Sequence, residues 1–282
     1  MGLFRDILNF KPDDGSTPSY LTAAIGCSMG RIRDNNEDNF YFNGRYLKNS
    51  ENKGLEEIWT DEQTMPNERS GNWLLYGIFD GMGGGSYGEL ASAAAAKTAD
   101  EQLNRTDCIC PYDITASLRD LFQNMNREVV RAAQNLGSSQ MGSTMVSLFF
   151  YAGLVWISNL GDSPGFRLRD DRLEKLTRDH TDEAMMKANG ITGRKPYLTQ
   201  YLGMDPEQVR IEPTITRHGL RKGDRLLLCS DGLTDMVSEN QIRSMMMSNE
   251  TANTEDCVRV LLRAALDAGG RDNVTVMVCD IS

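Results

Sequence analysis

The stretch Trp73-Leu-Leu-Tyr-Gly-Ile-Phe79, Asp80-Gly-Met-Gly-Gly-Gly85, Ser86-Tyr-Gly-Glu-Leu-Ala-Ser92 decides how this chain is read. Its first part is a short apolar and aromatic run, the pattern of a buried strand. The glycines that follow permit backbone approaches that a Cβ would forbid, so the strand is expected to stop at Asp80 and a glycine turn to begin. Ser86 is a candidate cap, and behind it Leu90, Ala91, Ala94, Ala95 and Thr98 recur at helical spacing. A carboxylate held where a strand ends and a glycine turn begins is a place for chemistry.

Two chemistries compete for that turn, with an ordinary turn aspartate as the bland alternative. Gly83-x-Gly85-x-x-Gly88 fits the dinucleotide fingerprint. A Rossmann unit, however, needs a second strand after its first helix, and the next regular segment, Tyr112 to Asn135, reads as another helix. Asp80 would also face an anionic pyrophosphate, which prefers the bare N–H groups of a helix start. Carboxylates in such a turn suit hard, oxygen-seeking cations such as magnesium or manganese.

Composition narrows the field. Over 282 residues, 40% hydrophobic and 25% charged content are globular values. A net charge of −10 argues against a general nucleic-acid binder, because nothing offsets phosphate repulsion. Cys27, Cys108, Cys110, Cys229, Cys257 and Cys279 are scattered without zinc-site spacing and read as reduced thiols. No apolar run has membrane-spanning length, and Met1 to Asp6 lacks the apolar core of a signal peptide. A soluble cytoplasmic protein without a membrane partner is the expectation.

Residues 1–19 read as a tail. One domain is expected over 20–282, with a long irregular insertion at 43–72 and an irregular segment at 180–200. Strands are expected at Tyr20 to Ser28, Asn39 to Phe42, Met145 to Tyr151, Leu154 to Ile157, Arg225 to Cys229 and Val274 to Cys279. A hairpin is expected around Asp170-Asp171. Ile114, Leu118, Leu121, Phe122, Met125 and Val129 form one apolar stripe, a helix's core face. The order is strands, two helices, strands, two helices, strand, which indicates α+β layers rather than alternating βαβ units.

One event recurs along this order. An apolar strand stops and an aspartate stands at the junction: Asp80, Asp162, Asp231 and, just before a strand, Asp272. Glu37 and Asp38 open another strand. Each alone is an ordinary turn residue. Packed sheets, though, bring many strand ends to one edge, where crowded carboxylates repel and raise each other's pKa values. Two or three divalent cations would neutralise them, as in two-metal phosphoryl hydrolysis. The reading requires Glu37, Asp80, Asp231 and Asp272 to meet at one rim, not tied up by lysines and arginines.

Arg33-x-x-Asn36-Glu-Asp38, Phe79-Asp-Gly-Met-Gly-Gly84, Gly142-Ser-Thr144, Asn159-Leu-Gly-Asp-Ser163, Leu176-Thr-Arg-Asp-His-Thr181, Leu198-Thr-Gln-Tyr-Leu-Gly203, Ser230-Asp-Gly-Leu233 and Asp272-Asn-Val-Thr275 stand in that order. The series resembles that of the type 2C metal-dependent protein serine/threonine phosphatases, bacterial members above all, from about Tyr20 to Ile281. The resemblance implies a four-layer αββα sandwich, two antiparallel sheets flanked by helix pairs, with a binuclear manganese or magnesium centre at one edge. By motif, Asp80 would bridge both ions and Gly81 would offer its carbonyl. Glu37 would serve the second ion, Asp231 and Asp272 the first, and Asp162 with Asp231 a third, weaker one. Arg33 would clamp the phosphate, and Asp38 would orient the water that two ions share and that attacks phosphorus directly.

The implied substrates are phosphoserine and phosphothreonine proteins, a serine/threonine protein kinase among them, met by a monomer. His180 and His218 fall in no catalytic slot, and His180 is expected to hold its turn. The chain departs from the pattern at Met82, where many members carry a histidine proposed as general acid, and at Pro164, where an arginine is common. Asp182 to Tyr197 resembles a shortened flap beside the metals. Its Arg194 and Lys195 would either meet an acidic phosphopeptide or be solvated surface charge. The alternative function is a catalytically inactive relative acting as a regulatory binding module. Such a relative would lose a ligand, and this sequence keeps the set.

Overall fold

The computed structural model describes residues 20–48, 59–66, 73–83, 87–104, 109–138 and 141–282. The expectations for the tail at 1–19, for Ser86 as a helix cap and for Cys108 lie outside the described residues. Chain order runs β1 (Tyr20–Ser28), β2 (Asp38–Phe42), β3 (Trp59–Pro66), β4 (Trp73–Gly83), α1 (Gly88–Leu103) and α2 (Ile114–Asn135). Then come β5 (Met141–Ser143), β6 (Met145–Tyr151), β7 (Leu154–Leu160), β8 (Gly165–Arg169), β9 (Arg172–Lys175) and α3 (Glu183–Ala188). The chain continues with β10 (Thr214–Gly219), β11 (Arg225–Cys229), α4 (Asp231–Thr234), α5 (Glu239–Met246), α6 (Thr254–Asp267) and β12 (Val274–Ile281).

Two sheets form, in the orders β3-β1-β12-β11-β8-β9 and β10-β7-β6-β4-β2, with β5 added to β4. Three apolar layers hold them. Between the sheets lie Ile25, Phe40, Phe42, Tyr76, Ile78, Leu148, Ile157, Leu228 and Met277. Ala91, Ala95, Ala96 and Ala99 of α1, with the expected α2 stripe from Ile114 to Val129, cover the second sheet. Val258, Leu261, Leu262 and Ala265 of α6, with Ile242 and Met246 of α5, cover the first. Each fully buried Leu, Ile or Phe contributes roughly 1.5–3 kcal/mol of transfer free energy. The result is the expected α+β sandwich of four layers, a helix pair outside each antiparallel sheet. The β8–β9 hairpin turns on Asp170 and Asp171, both at positive φ (49° and 60°), as a two-residue turn between right-twisted strands requires.

Three expectations need correction. The 43–72 segment is not wholly irregular, because β3 pairs with β1 from Tyr20↔Pro66 to Cys27↔Trp59. It is an edge strand with Thr60, Glu62 and Thr64 on one face and Asp61 and Gln63 between Trp59 and Met65 on the other, so no apolar period marks it. The strand β4 does not stop at Asp80 but runs to Gly83, leaving β6 after Ile78↔Val146 and taking up β5 at Gly81↔Ser143. The 180–200 segment contains the short helix α3, and β10, beyond it, had no strand signal of its own. Thr214, Thr216, Arg217 and His218 make β10 a polar edge.

Antiparallel register explains where the acids go. Ser28 of β1 stands opposite Val274 of β12, and Cys229 of β11 opposite Val276. Asp38 of β2 stands opposite Asp80 of β4, and Met145 of β6 opposite Leu160 of β7. The starts of β2 and β12 and the ends of β7 and β11 therefore reach one rim of the sandwich.

Candidate metal centre

At that rim lies a cleft of about 570 Å³ lined by Arg33, Glu37, Asp80, Gly81, Asp162, Asp231 and Asp272, together with Met82, Thr144, Lys195 and Tyr197. Asp38 lies beneath it, 1% exposed. All the expected site residues are brought together from five separate parts of the chain.

Backbone crowding fixes their spacing. A Cβ at Gly81 would lie 2.1 Å from the Gly88 carbonyl oxygen and 2.4 Å from that of Glu37. One at Gly232 would lie 2.0 Å from the Asn273 carbonyl oxygen, so Asp231 and Asp272 ride on backbones in direct contact. Side chains bind the same pieces together. Asn273 Nδ2 donates to the carbonyls of Met29 (2.8 Å) and Asn35 (2.9 Å), and its Oδ1 accepts from the Glu37 N–H (2.8 Å). Asp80 exchanges bonds with Thr144: its N–H donates to Thr144 Oγ1 (3.2 Å) and its carbonyl accepts from the Thr144 N–H (2.8 Å). Ser230 and Thr275 both donate to Asp38 Oδ2, at 2.8 and 2.7 Å. His180 holds the turn before Asp162: its Nδ1 accepts from the Gly161 N–H, and its own N–H donates to the Gly161 carbonyl.

The electrostatics are those of crowded, half-dry acids. Burial, then Asp231, Asp38, Asp162 and Asp272, push Asp80 well above the usual carboxylate range. Burial pushes Asp38 up to about 7 against the pull of its two hydroxyl donors. Burial and Asp231 push Asp162 up to about 6. Glu37 is raised by burial and by neighbouring Glu89, with Arg33 and the Gly88 N–H pulling the other way. Burial works against the Arg33 charge, but Asp272, Glu37 and Asp80 outweigh it and raise its pKa.

One requirement is met only in part. The acids do meet, but two carry basic partners. Arg33 Nη2 donates to Asp272 Oδ2 at 2.7 Å, and Lys195 Nζ donates to Asp231 Oδ2 and, at 2.9 Å, to Asp235 Oδ2. With Asp231 and Asp272 turned to these groups, no three His, Cys, Asp or Glu side chains among the described residues form a ready-made ion cage. Two cationic side chains still leave most of Glu37, Asp38, Asp80, Asp162, Asp231 and Asp272 unneutralised. The donors are all oxygen, with no His or Cys on the cleft wall. That set fits hard divalent cations.

Sequence reading gave no role to Asn273, Ser230, Thr275 or Thr144, although all lie inside the motifs beside the acids. Glu89 was also passed over, and its Oε2 is buried without a hydrogen-bond partner among the described residues. Arg194 is held within its own segment: it is bonded to Asp182 at 2.5 and 3.3 Å and lies 4.1 Å from the Tyr197 ring centroid.

An αββα sandwich with an oxygen-donor cleft at one sheet edge defines a class of metal-dependent phosphatase folds. The family model for protein phosphatase 2C matches residues 61–268, and the chain belongs to that family. The serine/threonine phosphatase Stp of Listeria monocytogenes is 30% identical over 270 residues, 92% of this chain and 96% of that protein. The serine/threonine protein phosphatase PstP of Mycobacterium tuberculosis is 29% identical over 270 residues, 93% of this chain but 45% of that protein. Among solved structures, PppA of Pseudomonas aeruginosa is similar with a TM-score of 0.72 at 26% identity, covering 94% of this chain and 99% of its own. The catalytic domain of PstP in complex with two manganese ions gives a TM-score of 0.68 at 26% identity, covering 93% and 99%. Among the described residues no helix is long and apolar enough to cross a membrane.

Proposed function

We propose that the protein hydrolyses phosphoserine and phosphothreonine esters in proteins, using two divalent cations, manganese or magnesium, held in the acid cleft. The observation that carries this is the convergence of Glu37, Asp80, Asp162, Asp231 and Asp272 on one cleft beside Arg33, where burial and neighbouring acids raise the pKa values of Glu37, Asp80 and Asp162. Asp80 would serve both ions and Gly81 would offer its carbonyl, with Asp231 and Asp272 on one ion, Glu37 on the other, and Asp162 with Asp231 on a third. Bound there, the ions supply Lewis-acid polarisation of the phosphoryl oxygens and a lowered pKa for water.

The chain's own residues do the rest. Arg33 offers a planar fork to the phosphoryl oxygens and exchanges Asp272 for them as substrate arrives. Asp38 is fixed through Oδ2 by Ser230 and Thr275, which leaves Oδ1 for the attacking water. That free oxygen is placed to orient the water and to receive its proton. Met82 lines the cleft and has no proton to give, so the departing serine or threonine oxygen is protonated by solvent. The names of the relatives, serine/threonine phosphatases, support the substrate class. The complete acid set supports an active enzyme over an inactive binding module.

The test is hydrolysis of phosphothreonine and phosphotyrosine peptides with manganese, magnesium or chelator. Cation-dependent turnover of the phosphothreonine peptide is expected, lost in Asp80→Asn and Asp231→Asn. Both variants should be folded, and Asp80→Asn should be more heat-stable than the parent in chelator, since the fold disfavours an ionised Asp80. Full activity of either variant overturns the assignment.

A further inference from the structure

Lys195 lines the cleft but has no part in the proposed chemistry. It is carried by the 180–200 segment, which is closed on itself: Asp182 accepts from both Arg194 Nη groups and from the Tyr197 N–H (2.8 Å), and its own N–H donates to the Tyr197 carbonyl (2.9 Å). That closure presents Lys195 to the cleft, where the ammonium sits on Asp231 Oδ2 and on Asp235 Oδ2 together. Asp235 lies one helical turn beyond Asp231, its N–H bonded to the Asp231 carbonyl (2.8 Å). The ammonium therefore has two seats on one rigid element.

A divalent cation and an ammonium on the same carboxylate repel at short range. The flexible lysine stem lets the ammonium give way while the carboxylates stay put. We infer that Lys195 is a displaceable counter-ion: it holds Asp231 until a divalent cation takes that carboxylate, then retains Asp235 alone, so that cation binding and the seating of the 180–200 segment are coupled. This rests on the reading that Asp231 is a cation ligand. By reciprocity, Lys195 weakens cation binding by the same factor by which the cation loosens Lys195. The lysine side chain is 56% exposed, so the factor is modest, about 2- to 5-fold, the range of a solvent-screened ion pair.

The experiment is calorimetric titration of manganese into the parent, Lys195→Met, Asp235→Asn and the double variant. Lys187→Met, the same charge change in the same segment, is the control. Expected are about 2- to 5-fold tighter binding in Lys195→Met, no change in Lys187→Met, and weaker binding in Asp235→Asn that disappears in the Lys195→Met background. Amide hydrogen exchange across 180–200 should speed up on manganese addition in the parent and not in Lys195→Met. Equal or weaker binding in Lys195→Met, or equal tightening in Lys187→Met, overturns the inference. An Asp235→Asn defect that survives in the double variant overturns the second seat. A parent that binds no manganese instead overturns the metal-centre reading beneath it.

Discussion

Replacing Gly81 with alanine adds one carbon at a backbone crossing that positions two of the acids. The new Cβ would lie 2.1 Å from the Gly88 carbonyl oxygen and 2.4 Å from that of Glu37, where ordinary contact begins at 3.4 Å. Both obstacles are main chain, so no rotamer change relieves them. Either β4, the start of α1 or the turn carrying Glu37 must shift by on the order of 1 Å, and overpacking of this kind costs about 1–3 kcal/mol. The entropy that alanine recovers over glycine in a strand, about 0.5–1 kcal/mol, offsets part of this. A displacement of that size at Asp80 and Glu37 should lower kcat/KM by on the order of 10²-fold. Gly77→Ala is the internal control, with the same substitution four positions earlier in the same strand. There the Cβ meets the Phe79 ring at 3.5 Å and the Val146 carbonyl at 3.6 Å, which is ordinary contact. Thermal denaturation and manganese-dependent hydrolysis of a phosphothreonine peptide, run on both variants, should separate them. If Gly81→Ala keeps full activity, or Gly77→Ala falls as far, backbone crowding does not set the acid geometry.

Two further outcomes follow from the charges. Asp38 has its pKa raised to about 7 in the fold against an ordinary value of 3.8, so the folded state takes up a proton between pH 8 and pH 6 while the unfolded chain does not. Relative to Asp38→Asn, which cancels the contributions of His180, His218, Asp80 and Asp162, the parent in chelator should gain about 1 kcal/mol over that interval as the pH falls; urea midpoints at the two pH values measure it, and a loss would contradict the burial argument. At the opposite rim, Arg225 grips Asp280 at 2.6 and 2.8 Å and donates to the carbonyls of Met246 and Thr251. Arg225→Met should therefore cost about 3–5 kcal/mol of stability with kcat unchanged at low temperature, and an equal fall in kcat would mean the two rims are not independent.

What could be read beforehand divides along a physical line. The acids and core strands were legible because each is marked locally: an apolar run, a small residue, a carboxylate. The α2 stripe was legible for the same reason. β3 and β10 were not, since an edge strand with polar residues along it has no apolar alternation to announce it. The continuation of β4 through Asp80 was hidden because glycine there means close packing against Gly88 and Glu37, whereas glycine in a sequence suggests a turn. Lys195 was visible as a flap charge, but its contact with Asp231 spans 36 positions and leaves no trace in either neighbourhood. Arg194, one position earlier and of the same sign, is spent on Asp182. Only the closure of the loop tells the two apart.

That closure also bears on why so costly a rim persists. Asp38, which is buried, and Asp80, which is half-buried, are acids whose ionised forms the fold disfavours, so the rim itself destabilises the molecule near neutrality. Arg33 and Lys195 offset part of this, and both do so from positions that are about half exposed and can be vacated, unlike Arg225 at the other rim. A ligand that binds only the folded chain stabilises it by an amount that grows with its concentration over Kd. Cation occupancy would thus replace weak, movable counter-charges with strong ones, while freeing Arg33 for phosphate and Lys195 for Asp235. The basic partners of Asp231 and Asp272 then belong to the site's operation, because a permanent, buried pair there would leave no room for either cation or substrate.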